Sequence, residues 1–182
     1  KARLAAVSQG WAGLTDAQRA GWATWAASNP ITDRLGFKQT LSGHAAYCKL
    51  NARLLRSGDT PIDVPPTEAA PDALLTVTGT FDIGAGNFEL AFTATPLGAG
   101  TRLWIWGCVH NSPGVKYVKN LLKLISVSAA AQVSPLNIES AMAERFGTLQ
   151  VGQIVTVWAH VLDGDTGLLS APVIETGTIT ST

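Results

Sequence analysis

Three histidines, His44, His110 and His160, and two cysteines, Cys48 and Cys108, are the first side chains to weigh as metal ligands, bases or nucleophiles. The histidines are scattered, and none reads as standing at metal-ligand spacing to another histidine, a cysteine or a carboxylate. The cysteines lie 60 residues apart with no second cysteine near either. Both therefore read as small buried apolar residues, not as a redox pair or zinc knuckle. No nucleophile-elbow motif singles out a serine. Gly84-x-Gly86 and Gly98-x-Gly100 lack the Lys-Ser/Thr pair or the strand-to-helix context that cradles phosphate, and read as hairpin turns. Asp163-Gly164-Asp165-Thr166-Gly167 offers two carboxylates for a weak calcium contact, although such a loop is more simply a turn. No catalytic residue, metal or cofactor is expected, and the chain reads as a non-enzyme.

Charge is split by position. Residues 1–58 carry eight Lys or Arg against two Asp, a net of +6, and residues 59–182 carry five against eleven acidic groups, a net of −6. A chain built this way can attract its neighbours head to tail. Only 14% of its residues are charged and 46% are apolar, so much of the surface must be neutral or covered by contacts. No apolar run approaches the roughly 18 residues that span a bilayer, so no membrane span is expected. The chain starts at Lys1 without Met, and an upstream segment with any targeting signal is expected to be removed or absent from it.

Elements that position side chains follow from period and punctuation. Thr15-Asp16-Ala17-Gln18 is a capping box, so a helix should start at Asp16, carry Gln18, Trp22 and Trp25 on one face, and stop at Asn29-Pro30. Before it, residues 1–9 suit the tail of a helix that Gly10 breaks, with Trp11 and Leu14 at the bend. A third helix should run from a Ser42 cap to Arg56, with Tyr47, Leu50 and Leu54 on one face and Ser57-Gly58 as its stop. Trp22 and Trp25 read first as packing residues. Lys49, Arg53 and Arg56 read as a solvated face of the third helix and, with Arg34, are the candidate electrostatic contacts. Nucleic-acid binding is not favoured, because eight basic residues over 58 positions form no dense run.

The segment Trp11-x-x-Leu14-Thr15-x-x-Gln18-Arg19-x-x-Trp22, followed by Leu41-Ser42-Gly43, Asn51, Leu54, Gly58 and Pro65-Pro66, resembles a pattern found in uncharacterised bacterial proteins, some from phage or prophage neighbourhoods. The resemblance carries no activity. It implies a context of phage or bacterial structural genes.

Prolines 61, 65, 66 and 71 stiffen residues 59–72 into an extended linker with few contacts. Beyond it the period becomes two. Leu75, Val77, Phe81 and Ile83 share one face; Phe88, Leu90, Phe92 and Ala94 share another after the turn at 84–87. Further strands are expected at 102–109, 121–128, 154–162 and 173–180, with one helical stretch at 137–146. Many short strands with Gly and Pro punctuation indicate a sandwich.

Leu149-x-Val151-Gly152, then Val155, Val157, Ala159 and Val161 in alternation, then Asp163, Gly167, Ser170 and Pro172, resembles the end of a fibronectin type III domain. Ala94 stands near the place of that family's core tryptophan, and the stretch 113–147 is longer than its middle strands require. The implied fold is immunoglobulin-like without strict membership. Trp104 and Trp106 alternate with Leu103 and Ile105, so their strand is apolar on both faces. If it pairs with 154–162, as the resemblance implies, the outer face also holds Trp158 and His160. Alternatively the tryptophans point inward and replace the bulk missing at Ala94. Either way an apolar surface needs a cover.

The expected architecture is α+β: a helical module (1–58), a proline-rich linker (59–72) and an immunoglobulin-like, fibronectin type III-like antiparallel β-sandwich (73–182). The expected role is a self-associating, non-enzymatic subunit of a virion, phage tail, filament or surface array. Trp11, Trp22, Trp25, Trp104, Trp106 and Trp158 are the candidate packing or assembly residues. The alternatives are a nucleic-acid-binding module and a carbohydrate-binding accessory domain that stacks sugars on exposed tryptophan.

Overall fold

A computed structural model describes the chain except for residues 1, 34, 35, 85 and 116 and the side chains of residues 2–4. Arg34 and the Ala85 turn position therefore lie outside the described residues. The fold is α+β, with four helices and three antiparallel sheets among those residues. It divides into two compact units, residues 1–69 with Gly164–Leu168, and residues 70–163 with 169–182.

The helical unit contains α1 (Ala2–Gly13), α2 (Asp16–Ser28), a hairpin of β1 (Ile31–Thr32) and β2 (Lys38–Gln39), and α3 (Gly43–Ser57). Both halves of the capping box form at α2: Thr15 Oγ1 accepts from the Gln18 N–H, and Gln18 Oε1 accepts from the Thr15 N–H at 2.8 Å. Ser42 caps α3, and Gly58 ends it in the left-handed region. Gly10 does not break α1. A Cβ there would lie 2.6 Å from the Tyr47 hydroxyl, so this glycine permits α1 to approach α3 closely. Val7, Leu14, Trp22, Ala26, Tyr47 and Leu50 form the buried centre of the unit. Trp22 stands edge-on to Tyr47 at 5.5 Å and to Trp25 at 5.9 Å, an arrangement favoured by the ring quadrupoles.

The acidic segment after α3 has no regular structure, as its prolines require, but it is not a connector with few contacts. Asn51, fully buried on α3, accepts from the Ile62 N–H at 2.6 Å and donates to the Ile62 carbonyl at 3.0 Å. The Trp22 indole N–H donates to the Asp63 carbonyl at 2.9 Å, and Ile62 packs against the helical core. This corrects the charge argument too. The folded helical unit holds eight basic and six acidic side chains, a net of +2, and the strand unit holds five and seven, a net of −2. The contrast read along the chain shrinks because the acidic segment folds onto the basic helices.

The strand unit contains a sheet in the order β3-β4-β7 and another in the order β6-β5-β8-β9, with all neighbouring strands antiparallel. The strands are β3 (Thr76–Asp82), β4 (Asn87–Thr93), β5 (Thr101–His110), β6 (Lys123–Val127), β7 (Leu136–Asn137), β8 (Ile154–Asp163) and β9 (Val173–Thr178). Helix α4 (Glu139–Phe146) follows β7. One core draws on both sheets: Val77, Phe81, Phe88, Leu90 and Phe92 from the first, Leu103, Ile105, Ile125, Val155 and Val157 from the second. Met142 of α4 joins it, fully buried. Leu75, expected on the inward face with Val77, is 78% exposed, because β3 begins only at Thr76. No helix among the described residues is long and apolar enough to cross a membrane.

Candidate binding face

Strand alternation decides which way the tryptophans point. On β5, Leu103 and Ile105 enter the core, and Gly107 lies on that face with Met142 Sδ 3.1 Å and Ile125 Cγ1 3.0 Å from where a Cβ would be. Trp104, Trp106, Cys108 and His110 therefore take the opposite, outer face. On β8, Val155, Val157, Ala159 and Val161 are core residues, which sends Ile154, Thr156, Trp158 and His160 outward. The tryptophans do not fill the place at Ala94.

Register then lines the outer face in rows. Trp106 pairs with Trp158, which pairs with Ile174; Cys108 pairs with Thr156, which pairs with Thr176; His110 pairs with Ile154, which pairs with Thr178. Such cross-strand neighbours stabilise a sheet by about 0.2–1 kcal/mol each. Trp104, opposite His160, is buried with Leu124 and Leu162, whereas Trp106 and Trp158 are half-buried and Ile174 is 52% exposed. A cleft of about 540 Å³ opens on this face, lined by Thr156, Trp158, Ile174 and Thr176 on the strands and by Val115, Tyr117 and Lys119 from the segment after β5.

The cleft's polar groups have defined roles. His110 Nδ1 lies 2.9 Å from the Ser112 carbonyl, which can only accept, so Nδ1 carries a proton and, in the neutral ring, Nε2 is the acceptor. The Thr156 and Thr176 hydroxyls bond each other at 3.0 Å, and the buried Thr156 side chain also bonds the Cys108 thiol, so the exposed Thr176 hydroxyl is the one with capacity for a further partner. The indole N–H groups of Trp104 and Trp158 are buried and meet no acceptor among the described residues. An orphaned buried donor costs about 1–3 kcal/mol. Trp104→Ala is therefore expected to lower stability by about 3–5 kcal/mol, whereas Trp104→Phe recovers the orphan cost and should lose under half as much. Urea unfolding midpoints of the two variants check this.

The remaining candidates are dispersed. Trp11 is half-buried and edge-on to Tyr47 at 5.4 Å, and Trp22 and Trp25 serve the helical core. Lys49 and Arg56 are exposed on α3, but Arg53 does not belong to a solvated face. It is half-buried and donates to the Gly167 carbonyl at 3.1 Å, and burial pulls its guanidinium pKa down to about 10. Gly167 is required there, since a Cβ would sit 2.7 Å from the Leu50 carbonyl oxygen.

One pairing departs from the reading of scattered histidines. His44 and Cys48, four apart on α3, bring Nε2 and Sγ to 3.4 Å, with Ser8 Oγ 3.3 Å from the same nitrogen. The four-residue helical spacing was the available signal. Burial pushes the Cys48 thiol up from its ordinary pKa, which disfavours the thiolate a nucleophile needs. Among the described residues no group of three or more His, Cys, Asp or Glu could hold a metal ion. No protein-family model matches the chain, and no curated protein matches it.

Proposed function

We propose that the protein is a non-enzymatic structural subunit that works by contact with copies of itself, in a virion, tail, filament or surface array. The observation that carries this reading is the β1–β2 hairpin. Among the described residues its two strands pair only with each other, and it holds Phe37 66% exposed. Asp33 bonds across it: its Oδ1 accepts from the Phe37 N–H at 2.9 Å, its Oδ2 accepts from Gln39 Nε2 at 3.1 Å, and its N–H donates to the Phe37 carbonyl at 2.9 Å. Open strand edges are templates for pairing. Buried aromatic anchors dominate interface energies.

The strand unit is, in this reading, an immunoglobulin-like sandwich of the fibronectin type III kind. The orders β3-β4-β7 and β6-β5-β8-β9 around one core support it, as does the end of the chain in sequence. A nucleic-acid role is weaker, because the net charge of the helical unit is only +2 and Arg53 is turned to a carbonyl. Phe37→Ser tests the proposal. Its site is exposed, so stability should stay within about 0.5 kcal/mol of wild type, and self-association should be lost.

A further inference from the structure

The cleft on the outer face of the four-stranded sheet is lined by none of the hairpin's residues, and its lining has a chemistry of its own. Its floor is apolar, with Trp158 and Ile174 adjacent on neighbouring strands, and Tyr117, 59% exposed, stands in its wall. Aromatic faces set in such a wall take the flat, C–H-bearing side of a ring. Beside them Thr176, held by the buried Thr156, offers an exposed hydroxyl that can donate and accept, and in the neutral His110 ring the bond from Nδ1 to the Ser112 carbonyl leaves Nε2 as an acceptor. Among the described lining residues the one formally charged group is Lys119, and no carboxylate is present. A cationic ligand would find no counter-charge, whereas an anionic one would. The volume of about 540 Å³ lies within the range of small-ligand sites.

We infer that this cleft binds an acidic saccharide. The ring of a uronic or sialic acid residue lies against Trp158 and Tyr117, its hydroxyls exchange hydrogen bonds with Thr176 and His110 Nε2, and its carboxylate faces the Lys119 ammonium. The apolar wall and the Thr176 hydroxyl recognise a polyol ring, and the lysine selects for the acid. This inference does not depend on self-association: Phe37→Ser should leave saccharide binding unchanged.

The test is a titration of the full chain with hyaluronan tetrasaccharide and with sialyllactose, using cellotetraose as the neutral comparator. Tryptophan fluorescence and backbone amide shifts are followed together. The expected result is saturable shifts confined to strands β8 and β9 and the segment after β5, with at least one acidic probe preferred over cellotetraose. Three surface variants separate the parts. Tyr117→Ala and Thr176→Val should each weaken binding about tenfold, the loss of one packed ring or one hydrogen bond to a polar ligand. Lys119→Gln should weaken the acidic probe about tenfold and leave the neutral one unchanged. Absence of shifts with both acidic probes overturns the inference. So does equal or tighter binding of cellotetraose, or binding that all three variants leave intact.

Discussion

Replacing Trp22 by alanine is expected to melt the helical unit. The ring is fully buried, is edge-on to two other aromatic rings, and carries the N–H that holds the Asp63 carbonyl at 2.9 Å. Emptying such a site costs about 3–5 kcal/mol, and the orphaned carbonyl adds to it where the segment cannot swing into water. Whole domains are stable by only about 5–15 kcal/mol, so a unit of three short helices has little reserve against that loss. Far-ultraviolet circular dichroism should show helix lost at a lower temperature while the strand signal persists. Trp22→Phe keeps most of the packing and gives up the hydrogen bond, so it should cost clearly less. An unchanged melting curve for Trp22→Ala would contradict the placement of this ring at the centre of the helical core.

A loss nearly as large is expected from Asn51→Ala, by a different route. Asn51 is the buried polar side chain on the apolar stripe of Tyr47, Leu50 and Leu54, and its amide satisfies both backbone groups of Ile62. Removing it orphans two groups at about 1–3 kcal/mol each, unless the acidic segment peels away to meet water. Peeling is the cheaper outcome, so limited proteolysis should cut residues 59–69 in Asn51→Ala and spare them in the wild type. Asn51→Asp retains the acceptor for the Ile62 N–H but buries a charge, and it should not rescue. Rapid cleavage of the wild-type segment would show that the clamp does not hold in solution.

These two residues also mark how far the sequence could be read. The capping box at Thr15 and the Ser42 cap name their partners within one helical turn, and local chemistry of that kind is visible in the chain. The fate of residues 59–72 is not. Four prolines exclude helix and sheet but are silent on whether an irregular segment packs. The usable signal was Asn51, a polar side chain on an apolar stripe that had to find a buried partner. The two facings of Trp104 and Trp106 were indistinguishable for a similar reason, since alternation gives a period and not a direction. Gly107 carries the direction: Met142 and Ile125 crowd its face, so no side chain fits there, and the bulky residues of β5 must turn outward. That fact depends on α4 meeting β5 from 35 positions further along the chain. The Phe37 hairpin had no periodic signal, because two-residue strands are shorter than any pattern, and the Asp33 side chain bonds both Phe37 and Gln39 within it.

Sedimentation velocity of the wild type and Phe37→Ser, run side by side from low to high micromolar concentration and at low and high salt, tests the central claim most directly. The account predicts that the wild-type sedimentation coefficient rises with concentration, with only modest sensitivity to salt because the units differ in charge by little and the contact is apolar. Phe37→Ser should remain a monomer with an unchanged unfolding midpoint. A wild type that stays monomeric across the whole range, or a Phe37→Ser variant that associates as the wild type does, would contradict it.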